Sequence, residues 1–314
     1  MATDNDRPLL FTLNGRLYDV RKFADKHPGG KKILEKTSGG DVSEFMSGQQ
    51  RVMGVKHVHS QAAYDILERY AVNHSIEKDK LIDENTPVLL KVGHLGDKYW
   101  NWIHQPYEGS LRLFESNFLE MLTRTAWWVV PLVWMPVVLG FGAFGLSALV
   151  AQYGLLKGAL LAGLLFILGT LAWTLLEYFL HRFVFHWKPD PDSYNQILLH
   201  FLAHGLHHKT PMDGDRLVFP PVPALMIVAV FYAFYVNLLP FDIFCCFASG
   251  KLFGYVVYDL CHYYLHHGSP TPRSDMHFRK VYHHNHHFKD FDAGYGISTM
   301  LWDVVFDTVG TGPL

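Results

Sequence analysis

The sequence predicts a small α+β domain followed by an all-α membrane domain with about four transmembrane helices and a cytosolic, histidine-rich cap. Three observations support this. Residues 9–20 alternate in hydrophobicity around an Asn-Gly pair, as in a short β-hairpin. The 32 residues from Thr125 to Leu156 contain no Asp, Glu, Lys or Arg, which is typical of a chain that enters a bilayer. Fourteen of the 20 histidines lie between residues 181 and 287.

Composition excludes several classes of protein. A chain of 314 residues is long enough for two domains. The formal net charge of −2 and the lack of a long basic run exclude nucleic acid as a partner. Three cysteines without a CxxC spacing predict no disulfide framework. The first residues show no basic leader followed by an apolar core, so we place residues 1–124 in the cytosol.

The chain divides into three parts. Residues 9–72 combine the hairpin with a compact helical region and are predicted to form the small domain. Residues 73–98 are charged, lack periodicity and contain a proline, so they are predicted to be a linker. Residues 99–314 are the predicted membrane domain.

Four apolar stretches in that domain are each near the roughly 20 residues that cross a bilayer. They lie at about residues 125–145, 157–180, 222–240 and 243–261. Lysine and arginine follow the second and fourth stretches, whereas the other connections are almost uncharged. Positive residues mark the cytosolic side, so two helical hairpins are expected to enter the lipid bilayer and return. This places the histidines on the cytosolic face.

Ten histidines fall into four groups, namely His181 and His186; His204, His207 and His208; His262 and His266; and His283, His286 and His287. Spacings of three and four residues place imidazoles on one face of a helix, where they converge on a metal. The first pair is five residues apart, about 140° around a regular helix. We therefore expect that helix to end between them, just before the proline-rich segment KPDP.

Neutral imidazole is a good ligand for iron, zinc, copper or nickel, and ten imidazoles fit two metal ions with about five ligands each. A single pair would be better explained as a surface histidine pair, but four groups beside membrane exits favour a dinuclear metal centre. The neighbouring histidines are left out of the ligand set: His200, His267, His277 and His284. Glu177 and Asp259 precede ligand candidates by four and three residues and either accept an N–H from a ligand or serve as interfacial acids.

His27 lies in the segment DVRKFADKHPGGKKIL, and His59 precedes Ser60 at the start of QAAYDILERY. Together these segments resemble the cytochrome b5-like haem-binding domain over residues 9–72. The resemblance implies haem b, held from opposite sides by His27 and His59. The connection SGQQRVMGVKHV is longer than in that family and contains His57, which remains an alternative second ligand.

The stretches HRFVFHW, HFLAHGLHHKTPMDGDRLVFPP, YDLCHYYLHHGSP and YHHNHHFKDFDAGYGISTMLWD resemble the fatty acid hydroxylase superfamily over residues 99–307. Fusion to a b5-like domain resembles its 2-hydroxylase branch. The resemblance implies that the ten histidines are metal ligands and catalytic, with iron in function and zinc possible in the isolated protein.

The resemblance further implies an oxygenase that uses O2 to hydroxylate the carbon alpha to the carbonyl of a fatty acid or ceramide acyl chain. Electrons are expected from a separate NAD(P)H-dependent cytochrome b5 reductase, because the one GxGxxG match, GFGAFG, lies inside an apolar stretch and not in a strand–turn–helix context. Residence in the endoplasmic reticulum membrane is expected from the lipid chemistry. Two alternatives stay open: a b5-fused acyl or sphingolipid desaturase, and a non-catalytic membrane electron-transfer protein.

Overall fold

The N-terminal domain begins with the predicted hairpin. The structure is a computed structural model that describes residues 9–72, 81, 86–107, 109–271 and 273–311. Strands β1 (Leu10–Leu13) and β2 (Arg16–Asp19) pair antiparallel. Asn14 and Gly15 join them with φ angles of 50° and 77°, as a two-residue hairpin turn requires. The α+β fold class of this domain is confirmed.

Short helices pack against this hairpin. A 3₁₀ helix (Arg21–Lys26) comes first, followed by α1 (Lys31–Thr37), α2 (Ser43–Met46) and α3 (Gln61–Glu68). The hydroxyl of Ser60 caps α3 by accepting from the Ala63 amide. The apolar residues that alternate along the strands, Phe11, Leu13 and Tyr18, form the small core.

The predicted linker 73–98 is only partly a linker. Residues 73–80 and 82–85 lie outside the described residues. The remainder contains α4 (Leu89–Val92) and α5 (Lys98–Ile103), which pack in a buried cluster with Ile197 and Phe201 of the membrane domain. The apolar residues of α4 and α5 are few and lie among charged residues, so the sequence pattern did not predict their burial. Residues from about 86 onward therefore pack as part of the membrane domain.

Four helices are long and apolar enough to cross a bilayer in the part of the chain that the structure describes, and the protein is a multi-pass membrane protein. They contain α7 (Val129–Tyr153), α8 (Leu155–Phe179), α11 (Pro221–Val236) and α12 (Phe241–His267). Gly154 alone joins α7 to α8. The four predicted transmembrane helices are confirmed, with ends that differ by several residues.

Helix α12 packs closely against α8. A Cβ atom at Gly250 would collide with the backbone oxygen of Phe166, and one at Gly169 would collide with that of Phe247. Such close approach needs small residues, which is a common solution in membrane helices. The hydroxyl of Thr170 donates to the Gly250 carbonyl at 3.1 Å. This contact fixes the histidine-bearing ends of α8 and α12 relative to each other.

A helical cap covers those ends. It contains α6 (Asn117–Leu122), α9 (Tyr194–His200), α10 (Leu206–Lys209), α13 (Asp275–Phe288) and α14 (Leu301–Val305). Two short π-helical segments interrupt the regular helices, one at Leu180–Phe185 after α8 and one at Phe201–Gly205 between α9 and α10. Such segments are rare and frequently occur at functional sites.

Candidate metal centre and haem cavity

The cap and the helix ends bring the predicted histidines into two adjoining clusters. The five-histidine group consists of His207, His262, His266, His283 and His287, and the four-histidine group consists of His181, His186, His204 and His286. In each group the candidate ligand atoms all lie within 4.8 Å of one another. His208 adjoins the four-histidine group, with its Nε2 3.1 Å from that of His204 and 3.3 Å from that of His186. All ten predicted residues are therefore assembled.

Each three-histidine motif is divided between the two groups. Helix α13 contributes His283 and His287 to one group and His286 to the other. In the same way, His204 and His208 lie on one side while His207 joins the other. Residues four apart are separated by only about 40° around a helix, whereas the residue between them lies about 60–100° away. The expectation that each triad converges on one metal is therefore wrong, because each helix runs between the two groups.

The π-helical segment after α8 aligns His181 with His186. The amide of His186 donates to the carbonyl of His181 at 3.0 Å, which is the i+5 bond of a π turn. The expected helix end between the two residues is wrong, because widening the turn stacks residues five apart. The helix ends at His186 instead.

The second π-helical segment separates His200 from His204, although they are four residues apart. The Nδ1 atom of His200 lies 2.5 Å from the hydroxyl of Tyr99. His200 is buried beside the four-histidine group but belongs to neither group in the described part of the chain. His267, His277 and His284 also lie outside both groups.

The donor set fits metal ions. Within each group, with His208 counted in the four-histidine group, neighbouring pairs of Nε2 atoms lie 2.9–3.3 Å apart. Two ligands at metal–nitrogen distances of about 2.0–2.1 Å are separated by about 2.9–3.4 Å in square or tetrahedral arrangements. Burial lowers the pKa values of His204, His207 and His287 well below the usual range, so these imidazoles are neutral, as metal binding requires.

Backbone carbonyls select the tautomer of two members of the four-histidine group. The Nδ1–H of His181 donates to the Tyr295 carbonyl at 2.6 Å, and that of His286 donates to the Ala293 carbonyl at 2.8 Å. Each bond leaves Nε2 unprotonated and directed by a fixed ring. The two imidazoles are thereby prepared as ligands.

Neither of the two carboxylates singled out in the sequence bonds to a histidine in the part of the chain that the structure describes. Glu177 accepts from the amides of Ile297 and Ser298 at 2.9 and 2.8 Å. Asp259 accepts from the Phe219 amide at 3.3 Å. Of the two alternatives for these acids, acceptance of an N–H from a ligand is therefore wrong, because both carboxylates accept from backbone amides instead.

Glu177 nevertheless acts on the site through the backbone, together with Asp303, which the sequence reasoning missed. Asp303 is fully buried and accepts from the amides of Tyr295 and Gly296 at 2.9 and 2.8 Å. These acids hold a loop, residues 295–298, that presents the carbonyl bonded to His181. The sequence signal for Asp303 was a lone carboxylate in the apolar run STMLWDVV, because a carboxylate that is buried there needs hydrogen-bond partners.

The N-terminal domain contains a cavity between His27 and His59. Their ring centres are 6.4 Å apart and their planes differ by 23°. Two imidazoles bound to one iron from opposite sides, with bonds of about 2 Å, would have ring centres about 6 Å apart, so the pair fits haem. Burial lowers the pKa of His27 to about 4 and that of His59 to about 3, leaving both neutral. His57 lies edge-on to His59 at 4.8 Å.

The HPGG sequence has a steric reason. A Cβ atom at Gly29 would approach Cε1 of His27 to 2.8 Å, and Gly30 has a φ of 86°. Both positions therefore favour glycine, one for space and the other for backbone conformation. The turn places the His27 ring at the cavity, where apolar side chains such as Phe23, Leu34 and Phe45 surround it.

Comparisons with known proteins agree with this architecture. Residues 166–308 match the family model described as fatty acid hydroxylase, and residues 1–76 match the cytochrome b5-like heme/steroid binding domain. The chain is 39% identical to the fatty acid 2-hydroxylase of Homo sapiens, covering 94% of this chain and 89% of that protein. It is 47% identical to the dihydroceramide fatty acyl 2-hydroxylase FAH2 of Arabidopsis thaliana, covering 78% and 95%.

A yeast relative extends the comparison to a solved structure. The ceramide very long chain fatty acid hydroxylase SCS7 of Saccharomyces cerevisiae is 36% identical over 94% of this chain and 88% of that protein. A structure described as full-length scs7p with only the hydroxylase domain visible is similar at a TM-score of 0.67 and 40% identity, covering 79% of this chain and 93% of that one. The chain therefore belongs to the fatty acid hydroxylase family, in the form that carries an N-terminal cytochrome b5-like domain.

Proposed function

We propose that this protein is a membrane-bound oxygenase that hydroxylates the alpha carbon, C-2, of fatty acids or of ceramide acyl chains. The observation that carries the proposal is the set of ten buried or half-buried imidazoles, formed by the two adjoining groups and His208 beside them. The names of the relatives in human, plant and yeast support C-2 hydroxylation and a fatty acid or ceramide substrate.

The metal ions would be held by the five-histidine group, and by the four-histidine group together with His208. Bound there, two iron ions would supply the activation of O2, and zinc, which has no redox chemistry, could occupy the same sites in the isolated protein. The carbonyls of Tyr295 and Ala293 keep His181 and His286 in the tautomer that can ligate. Because both groups are built from helices, their geometry is set before substrate binds.

The cavity between His27 and His59 would hold haem b, through which electrons reach the metal centre one at a time. These electrons would come from an NAD(P)H-dependent cytochrome b5 reductase. The haem domain and the histidine groups would face the cytosol, because lysine and arginine follow α8 and α12. The lipid substrate favours the endoplasmic reticulum membrane.

Apolar side chains beside the metal centre support a lipid substrate. Phe183, Trp187 and Leu202 are 56%, 39% and 46% exposed and lie in or next to the two π-helical segments. An acyl chain in the bilayer would meet this surface close to His186 and His204. Positioning by the chain's own side chains would then decide which carbon is hydroxylated.

The test is to express the full chain together with a cytochrome b5 reductase and to profile cellular lipids by mass spectrometry. We expect 2-hydroxyacyl species, each with one added oxygen. The matched control is the His207→Ala/His208→Ala variant, which should form none. Products that have lost two hydrogens instead would identify a desaturase, and unchanged function in the control would identify a non-catalytic electron-transfer protein.

A further inference from the structure

The haem cavity is closed on one side by the membrane domain. Described residues of that domain line it, including His277, Val281, His284, Asn285 and Phe288 of α13. These five recur at intervals that place them on one helical face. The three metal-centre histidines of α13 lie on the other side of the same helix. A single helix thus separates the haem cavity from the metal centre.

His284 lies at the boundary between these two faces. Its ring lines the cavity and is 5.4 Å from the ring of His266, a member of the five-histidine group. Its Nδ1–H donates to the Lys280 carbonyl at 2.9 Å, which fixes the ring. Its Nε2 is buried and has no hydrogen-bond partner among the described residues. His284 is neither one of the predicted haem ligands nor a member of either histidine group, so neither role explains why its imidazole is buried.

Phe288 supports the same connection. Its ring also lines the cavity and lies 5.8 Å from His284 and 6.0 Å from His287. The contacts of His284 with His266 and of Phe288 with His287 therefore connect the cavity wall to the five-histidine group. The four-histidine group has different neighbours, Phe185 and Tyr295, and neither lines the cavity.

We infer that an electron passes from the haem cavity to the five-histidine group through the ring of His284, with Phe288 as a second contact on the same route. This group is then the entry point for electrons, and the four-histidine group receives them second. The inference rests on the proposed function. With haem and iron bound, the haem iron would change from ferrous to ferric, and one metal ion held by the five-histidine group, oxidised beforehand by O2, would gain that electron. No covalent bond forms or breaks.

The experiment measures haem reoxidation rather than product. Full-length protein carrying haem and iron is reduced without oxygen and then mixed with oxygenated buffer in a stopped-flow spectrometer. The His283→Ala variant, which lacks a ligand of the five-histidine group, gives the background rate of direct haem oxidation. We expect His284→Leu to slow the haem reoxidation above that background by roughly tenfold, because leucine removes the ring that lies between the cavity and His266, and Phe288→Leu to slow it less.

His104→Leu is the matched control. The Nδ1 of His104 also bonds a carbonyl four residues earlier, that of Trp100 at 2.8 Å, and its ring lies 5.1 Å from His208. It contacts the side of the four-histidine group and does not line the haem cavity. We expect its rate of haem reoxidation to match that of the wild-type protein, because His104 lies outside the route from the haem cavity to the five-histidine group. Haem spectra and iron content are measured for each variant, and Phe288→Leu carries the test if His284→Leu loses iron.

The outcomes are distinguishable. This inference would be overturned, and the proposed function would stand, if haem reoxidation were equally fast in the wild-type protein, His284→Leu and Phe288→Leu and well above background in all three. Equal slowing by His104→Leu would also overturn it, because the effect would not depend on the cavity wall. An unchanged protein that reoxidises only at the background rate would overturn both this inference and the electron route of the proposed function.

Discussion

The five-histidine group and the four-histidine group use the same side chain but are supported in different ways. In the five-histidine group, the Nδ1 atoms of His262, His266, His283 and His287 are buried without a partner among the described residues. In the four-histidine group, backbone carbonyls fix two rings, and two carboxylates hold the loop that carries one of those carbonyls. The first group adjoins the haem cavity, whereas the second depends on a fixed loop. The two groups therefore use the same ligand type but hold its rings in place by different means.

The largest expected effect comes from removing one ligand from each group. His283→Ala and His181→Ala should each lower the metal content from two ions per chain to about one. Each should also reduce 2-hydroxyacyl product by more than about a hundredfold, since even partners of metal ligands are worth about 10–100-fold. Metal analysis and lipid mass spectrometry measure both. If either variant kept full activity, the two groups would not form one centre.

The π turn provides a more selective test of the four-histidine group. Inserting an alanine after Val184 should place His186 six residues after His181, about 120° away around a regular helix, so that the π turn no longer aligns the two rings. We expect loss of metal from the four-histidine group and roughly a tenfold or greater loss of product, while the five-histidine group keeps its metal. Val184 is 49% exposed, so little packing is lost. Val184→Ala, which keeps the chain length, should behave like the unchanged protein.

The loop at residues 295–298 should matter to one group only. Asp303→Asn or Glu177→Gln removes a carboxylate that accepts backbone amides, which should loosen the carbonyl bonded to His181. We expect about a tenfold faster loss of one metal ion to a chelator, measured as metal retained over time. Asp259→Asn is the control, because its carboxylate accepts from Phe219 instead. Equal metal loss in the control would contradict a specific role for the loop.

The smallest expected effect concerns pH and the haem pair. The pKa values of His27 and His59 are lowered from 6.5 to about 4 and about 3 by burial. Their contribution to stability is therefore complete above about pH 6.5 and is lost as pH falls towards 4 and 3, because the unfolded chain takes up protons first. The thermal midpoint of the haem-free protein, followed by far-ultraviolet circular dichroism, should fall over this range. Tryptophan fluorescence reports the membrane domain separately, since residues 9–72 contain no Trp.

Much of this arrangement could be predicted from the sequence. The hairpin, the four apolar helices and the ten histidines depend on local patterns that a single chain displays directly. The division of each triad could not be predicted, because spacing fixes the relative angle of side chains on a helix but not what lies on either side of it. The π turn at His181 was also missed, since a widened turn and a helix end explain a five-residue spacing equally well.

Helix α13 shows the same limit. In the motif HHNHH, His283, His286 and His287 face the metal centre, while His284 and Asn285 face the haem cavity. Helical periodicity separates these sets, but only tertiary packing reveals that the second face has a partner. Glu177 and Asp303 are similar cases, because their bonds join residues more than a hundred positions apart or close a loop whose shape the sequence does not specify.

The most direct measurement follows oxygen from O2 into the product. Full-length protein with haem, iron, a cytochrome b5 reductase and NAD(P)H is supplied with an acyl substrate under oxygen-18 gas, and the product is analysed by mass spectrometry. The account predicts a hydroxyl group at C-2 that contains one oxygen-18 atom. A C-2 hydroxyl without the label, or an unsaturated product without added oxygen, would contradict it.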